Sequence, residues 1–168
     1  MGLIIGIAGI SRSGKSRLAR KICLSFKDKS ISIIEQDKFV VPIKDIPKYK
    51  EETDWESPLS LNFTAFKETI IKESKHHDIV IAEGLMAFYK PEICNLFDKR
   101  IFIEISYDTF IERKERDLRW GNIPKHYFDH IWESYLKYGK IPRTEAEYLT
   151  IDGERSIDID HVLNYIYR

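Results

Sequence analysis

The sequence predicts an α/β fold in three layers, a central parallel sheet with helices on both faces. Three observations carry that expectation. Apolar runs of strand length alternate with segments of helical periodicity along the whole chain. A glycine-rich turn joins the first strand to the first helix. The strand-like runs are continuously apolar and do not alternate, as in strands covered on both faces. Residues 1–168 read as one domain, with no linker, repeat or low-complexity tract.

Taken in order, Leu3 to Ala8 is the first strand, and Leu18, Ile22 and Phe26, with Ala19 and Cys23, repeat at helical spacing behind Gly14. Ile31 to Glu35 is a second strand ending at Gln36-Asp37. A stretch with Pro42, Pro47 and many charges follows, read as a surface loop over the site. Ser57-Pro58 has the form of an N-cap with proline at the first helical position, opening a helix whose stripe is Leu59, Phe63, Phe66 and Ile70. Ile79 to Ala82 is a short buried strand ending in Glu83-Gly84, and Ile101 to Ile105 another. Thr109 to Leu118 is a charged helix, broken at Gly121-Asn122 and Pro124, and a further helix runs from about His126 to Tyr138. Glu147 to Ile151 is the last strand, and Ile157 to Tyr167 the closing helix. Tyr135, Tyr138, Tyr148, Tyr165 and Tyr167 read as half-buried packing residues.

Composition narrows the function. Lys and Arg total 27 against 27 Asp and Glu, so the net charge is zero, and 43% of residues are hydrophobic. Such a chain has no basic field for nucleic acid and no polybasic arm for an anionic membrane. Its longest apolar run, Leu3 to Ile10, is far below the ~20 residues that span a bilayer. The N-terminus lacks the form of a secretory signal, which points to the cytoplasm, where Cys23 and Cys94 act as small hydrophobes.

Gly9-Ile10-Ser11-Arg12-Ser13-Gly14-Lys15-Ser16 matches G-x-x-x-x-G-K-[ST] between a strand and a helix, which makes it a P-loop. Its chemistry explains its spacing. Backbone N–H groups of the loop curl round phosphate oxygens, the helix start adds its dipole, Lys15 reaches the outer phosphates, and the Ser16 hydroxyl suits magnesium. The ligand expected is a nucleoside triphosphate. Neither D-x-x-G nor N-K-x-D occurs, so a GTPase switch is set aside.

Asp37 and Glu83 each follow a later strand, and in a parallel sheet both reach the same carboxyl edge as the P-loop. Asp37 suits proton acceptance from a hydroxyl, and Glu83 suits a magnesium shell. Arg113, Arg116 and Arg119, at spacing three, with Lys114 between them, read as a basic lid over 113–126 that excludes water, or else as a solvated face paired with Glu112, Glu115 and Asp117. His126 and His130 share a helix face, but no cysteine or H-E-x-x-H pattern supports zinc.

These residues resemble the nicotinamide riboside kinases, within the uridine kinase and phosphoribulokinase group. The matching pieces are Gly6 through Ser16, Gln36-Asp37, Trp55-Glu56-Ser57-Pro58, Ala82-Glu83-Gly84, Arg113 to Asp117, Tyr127 to Tyr138 and Tyr148 to Gly153. The resemblance implies ATP bound by Gly9, Ser11, Arg12, Ser13, Gly14, Lys15 and Ser16 with the lid residues Arg113 and Arg116. It implies Mg2+ on Ser16 and Glu83, with Asp37 as base and Lys15 as its catalytic partner. Trp55 and Glu56 would stack on the base and hold the ribose hydroxyls, with Trp120 near the aromatic position of the lid side. The implied reaction is phosphorylation of a ribonucleoside 5′-hydroxyl, nicotinamide riboside first, in the service of NAD salvage. Uridine or cytidine is the alternative acceptor, and a silent nucleotide-binding protein a further one. The partner is a small nucleoside, with neither nucleic acid nor membrane, and the chain is expected to be a monomer or weak homodimer. Two positions depart from the family pattern, Glu56 and Lys38, where the family has aspartates.

Overall fold

The computed structural model describes residues 1–118, 121, 123–143 and 145–168. Its strands are β1 (Leu3–Gly9), β2 (Ile31–Glu35), β3 (Lys48–Tyr49), β4 (Glu52–Thr53), β5 (Ile79–Gly84), β6 (Lys99–Glu104) and β7 (Leu149–Asp152). Five of them form one parallel sheet in the order β2-β5-β1-β6-β7, while β3 and β4 make a small antiparallel hairpin. The helices are α1 (Lys15–Ser25), α2 (Phe63–Glu73), α3 (Pro91–Cys94), α4 (Tyr107–Glu115), α5 (Lys125–Ser134) and α6 (Ile159–Tyr167).

The side-chain period of two along β1 divides the core. Ile5 and Ile7 face α1 and α6, where they meet Leu18, Ile22, Val162 and Ile166. Ile4 and Ala8 face the other layer, with Phe66 of α2, Phe110 of α4 and Ile131 of α5. Each fully buried isoleucine stabilises the fold by roughly 1.5–3 kcal/mol, so the central strand is a strong anchor. This is the doubly covered parallel sheet that the unbroken apolar runs predict, and its carboxyl edge gathers the ends of β1, β2 and β5. No helix among the described residues is long and apolar enough to cross a membrane.

Several local expectations need correction. Ser57 does cap with proline behind it, but the element is one 3-10 turn, Pro58–Ser60, in which the Ser57 hydroxyl accepts from the Leu59 amide at 3.2 Å. The helix starts afresh at Phe63, where the Asn62 side chain accepts from the Ala65 amide at 3.0 Å. Leu59 is 70% exposed and belongs to no apolar stripe. The charged helix α4 ends at Glu115, before Leu118. The helix expected to reach Tyr138 is α-helical to Ser134 and widens into a π turn over Tyr135–Gly139. Of the five tyrosines expected to be half-buried, Tyr138 and Tyr148 are so, Tyr135 and Tyr165 are buried and Tyr167 is exposed.

Candidate active site

Strand β1 delivers the chain into the P-loop at Gly9, and α1 carries it away from Lys15. Gly9 has φ +155, and a Cβ there would lie 2.5 Å from the Ile103 carbonyl and 2.8 Å from the Ser13 hydroxyl, so a side chain is excluded. The start of α1 turns its unpaired amides toward the hollow of the loop. The Lys15 ammonium donates to the Ile10 carbonyl at 3.0 Å, which folds it over that hollow. The Ser16 hydroxyl donates to Glu83 Oε1 at 2.5 Å. The Ser13 hydroxyl is buried without a hydrogen-bond partner, a polar group facing the loop interior.

Glu83 is the penultimate residue of β5, at the strand end the sequence gives it, and is buried. Burial raises its carboxyl above the ordinary value, while Lys15 and the Ser16 hydrogen bond pull the other way. The Glu83 carboxylate and the Ser16 hydroxyl are hard oxygen donors of the kind that suits magnesium, and the Lys15 ammonium beside them adds charge and no ligand.

The base of α4 is seated on this loop. Arg113 donates to the Arg12 carbonyl at 3.1 Å and to the Gly153 carbonyl at 2.8 Å. Gly153 approaches so closely that a Cβ would sit 2.8 Å from the Ser13 carbonyl. Arg12, itself at φ 67, has its guanidinium 3.8 Å from the buried Asp117. Lys114 is buried, with its ammonium 3.5 Å from the Ser11 hydroxyl. Arg116 goes elsewhere: it follows the last residue of α4, is 75% exposed and pairs with Glu112 at 2.7 Å.

The other half of the site is acidic. Asp37 is exposed in a 3-10 turn, Gln36–Lys38, which Gln36 fixes by burying its side chain and accepting from the Met86 amide at 2.9 Å. Lys38 is turned to Glu35, 3.2 Å away on the surface. Glu56 is half-buried, and its carboxyl is pushed up to about 7. Burial is the main cause; Lys114 and Lys15 oppose it, while Asp37 and Asp54 reinforce it. Asp37 also raises Glu83, so its charge is felt on both sides of the cleft. Trp55 is 44% exposed beside Glu56. The Tyr127 hydroxyl accepts from the Trp55 amide at 3.1 Å and donates to the Thr53 carbonyl at 3.0 Å, and burial raises its pKa. Trp120, expected on the lid side, and Arg119 lie outside the described residues.

The structure thus brings Lys15, Ser16, Glu83, Asp37, Glu56 and Arg113 to one sheet edge and leaves Arg116 on the surface. It adds Asp54 and Tyr127, which the sequence does not single out for the site, and His130, which the sequence raises only as a zinc candidate, and it turns Lys114 of the expected lid inward to the P-loop. For Lys114 a signal existed, because it stands one turn after the core residue Phe110 and shares its inward face.

The chain is 24% identical to the uridine kinase of Oceanobacillus iheyensis, in an alignment that spans 90% of this chain and 87% of that protein. It is 26% identical to the nicotinamide riboside kinase of Schizosaccharomyces pombe, over 80% of this chain and 77% of that one. Both kinases are its homologues. No protein-family model matches the chain. Among solved structures, a sugar kinase from a Janibacter species superposes with a TM-score of 0.68 at 15% identity, covering 99% of this chain and 95% of that one. A possible uridine kinase from Bacillus stearothermophilus gives 0.57 at 18% identity, covering 90% and 89%. The fold is that of the P-loop kinases.

Proposed function

We propose that the protein transfers the terminal phosphoryl group of ATP to the 5′-hydroxyl of a ribonucleoside, with nicotinamide riboside as the acceptor and nicotinamide mononucleotide as the product. One observation carries the reading. The Ser16 hydroxyl donates to Glu83 at 2.5 Å in the P-loop, and Asp37 and Lys15 stand close enough to act by charge on both Glu83 and Glu56, which supports a phosphate-binding half next to a hydroxyl-binding half.

The residues divide the work accordingly. The loop amides, Lys15 and Lys114 hold negative phosphate oxygens and stabilise the charge that shifts toward the leaving bridge oxygen. Ser16 and Glu83 would hold a magnesium ion, which when bound neutralises phosphate charge. Asp37 takes the 5′-hydroxyl proton as the oxygen–phosphorus bond forms and the bond to the leaving ADP breaks. Glu56 accepts from the ribose hydroxyls, and Trp55 offers a flat face to the base. Segment 113–126, carrying Arg113 and Lys114, is the lid of a single kinase domain.

A cationic nicotinamide ring is favoured on this side by three carboxylates, Asp37, Asp54 and Glu56, and by an aromatic face that attracts cations. Uracil and cytosine are neutral and gain neither. The test is a purified-protein assay with ATP and magnesium against nicotinamide riboside, uridine and cytidine. Nicotinamide riboside is expected to have the highest kcat/KM. A preference for uridine would overturn the acceptor, and ATP turnover stimulated by none of the three would overturn the function.

A further inference from the structure

Residues 53–56 carry the proposed nucleoside clamp, yet the hairpin that leads into them is only two residues on each side, too short to hold its own register in water. Something else must fix it. Local bonds help, from the Asp54 amide to the Pro47 carbonyl and from the Ser60 hydroxyl to the Trp55 carbonyl, both at 2.9 Å, and the long-range anchors come from α5. Tyr127 grips the Thr53 carbonyl and the Trp55 amide. One turn further along, His130 Nε2 lies 2.7 Å from Asp54 Oδ1, and the same carboxylate oxygen accepts from the Glu56 amide at 3.2 Å. The His130 ring also stacks flat on Tyr49 of β3, with centroids 3.6 Å apart and planes 6° from parallel. Both members of the pair are mostly buried, with side chains 12% and 15% exposed.

We infer that His130 is a positioning residue that acts through Asp54 to set Glu56, and so tunes nucleoside affinity without touching the nucleoside. The inference rests on the proposed role of Glu56. One carboxylate oxygen joins the helix to the Glu56 backbone, so the clamp takes its register from α5. That helix is in turn packed on α4 through Trp132, which meets Tyr107 and Phe110. The nucleoside side is therefore referenced to the same helix pair that seats Arg113 on the P-loop. Removing the imidazole takes away one of the two hydrogen-bond partners of Asp54 Oδ1 and frees that carboxylate to move relative to the Glu56 backbone.

The test compares His130→Ala with His130→Gln, whose side-chain amide offers an N–H donor near the place of Nε2. Amide hydrogen exchange over 48–57 is read first, in the absence of any substrate. His130→Ala is expected to speed exchange at Trp55 and Glu56 about tenfold or more, and His130→Gln to restore it. In steady state His130→Ala should raise nucleoside KM about tenfold while ATP KM stays within twofold, with recovery in His130→Gln. Exchange unchanged by His130→Ala overturns the positioning role, whatever the acceptor proves to be. So does faster exchange with an unmoved nucleoside KM, or an equal rise in both KM values. If the parent protein phosphorylates no nucleoside, the reading of the site fails by that assay alone, and the exchange comparison still decides whether His130 holds the clamp.

Discussion

Glu56→Gln should make the protein more stable, and only above a definite pH. The native carboxyl titrates near 7, against an ordinary value of 4.5. Between those two values the folded protein keeps a proton that the unfolded chain releases, so folding loses stability as pH rises through the window and the loss is complete above 7. The rise from 4.5 to about 7 corresponds to about 3 kcal/mol, at 1.36 kcal/mol for each tenfold change in proton affinity. Because Glu56 is half-buried and keeps some contact with water, a realistic share is about 2 kcal/mol. Glutamine fills nearly the same volume with no charge to desolvate. At roughly 2–4 °C per kcal/mol for a chain of this size, the variant should melt about 4–8 °C above the parent at pH 8. At pH 5 only about a quarter of the effect has developed, so the difference should shrink to about 1–2 °C. Thermal unfolding of both proteins without ligands, at the two pH values, measures this directly. A variant that is less stable at pH 8, or one stabilised equally at both pH values, would refute the claim that burial and the neighbouring carboxylates strain the charge of Glu56. A group that costs stability at the working pH is the kind that function retains.

Three further outcomes are expected. Lys15→Ala should lower turnover by roughly 10³-fold while nucleoside affinity, read by calorimetry, stays within a few-fold, because the ammonium stabilises the transferred charge and faces the phosphate half. Turnover within tenfold of the parent would remove that role. Asp37→Asn should keep the fold and ATP affinity but lose roughly 10²-fold in kcat, the usual scale of a lost general base; collapse of ATP affinity instead would make Asp37 a phosphate-side residue. Ribosides should outpace 2′-deoxyribosides in kcat/KM by about 10- to 100-fold, since a carboxylate poised for two hydroxyls leaves capacity unmet with one, and Glu56→Gln should shrink that ratio. Equal rates on the two sugars in the parent would take Glu56 out of the clamp.

What was legible in the sequence is what local chemistry determines. The run Leu3 to Ala8, the P-loop glycines and the lysine-serine pair need no partner to declare themselves, and β1, the loop and α1 follow from them. The start of α2 differs from the expectation because Ser57-Pro58 is equally good chemistry for a single 3-10 turn and for a long helix. The choice lay with Leu59, whose exposure depends on what the rest of the chain fails to place against it. Spacing of three puts Arg113 and Arg116 one turn apart, and Arg116, the C-cap of α4, keeps helical backbone, but its side chain turns out to the surface and pairs with Glu112 one turn back. Asp54 and His130 are 76 positions apart, and nothing local to either marks the other.

The net charge of zero conceals a separation that the sheet itself creates. Parallel strands β1, β2 and β5 end at one edge, so the residues that follow them are collected there whatever their sign: cations from the P-loop and α4, carboxylates from β5, from the turn after β2 and from the segment after the hairpin. Like charges so gathered raise one another's free energy, as Asp37 and Asp54 do to Glu56, unless opposite charge stands close by. Lys15 and Lys114 supply that counter-charge from the phosphate side, and both pull the Glu56 carboxyl down. The same ammonium groups therefore act two ways, on the P-loop proposed to hold phosphate and on Glu56 of the proposed nucleoside clamp. Any change that withdraws Lys114 from the cleft should both weaken phosphate binding and drive Glu56 toward its protonated form, so the two halves of the site are joined by charge as well as by the packing of α4 on α5.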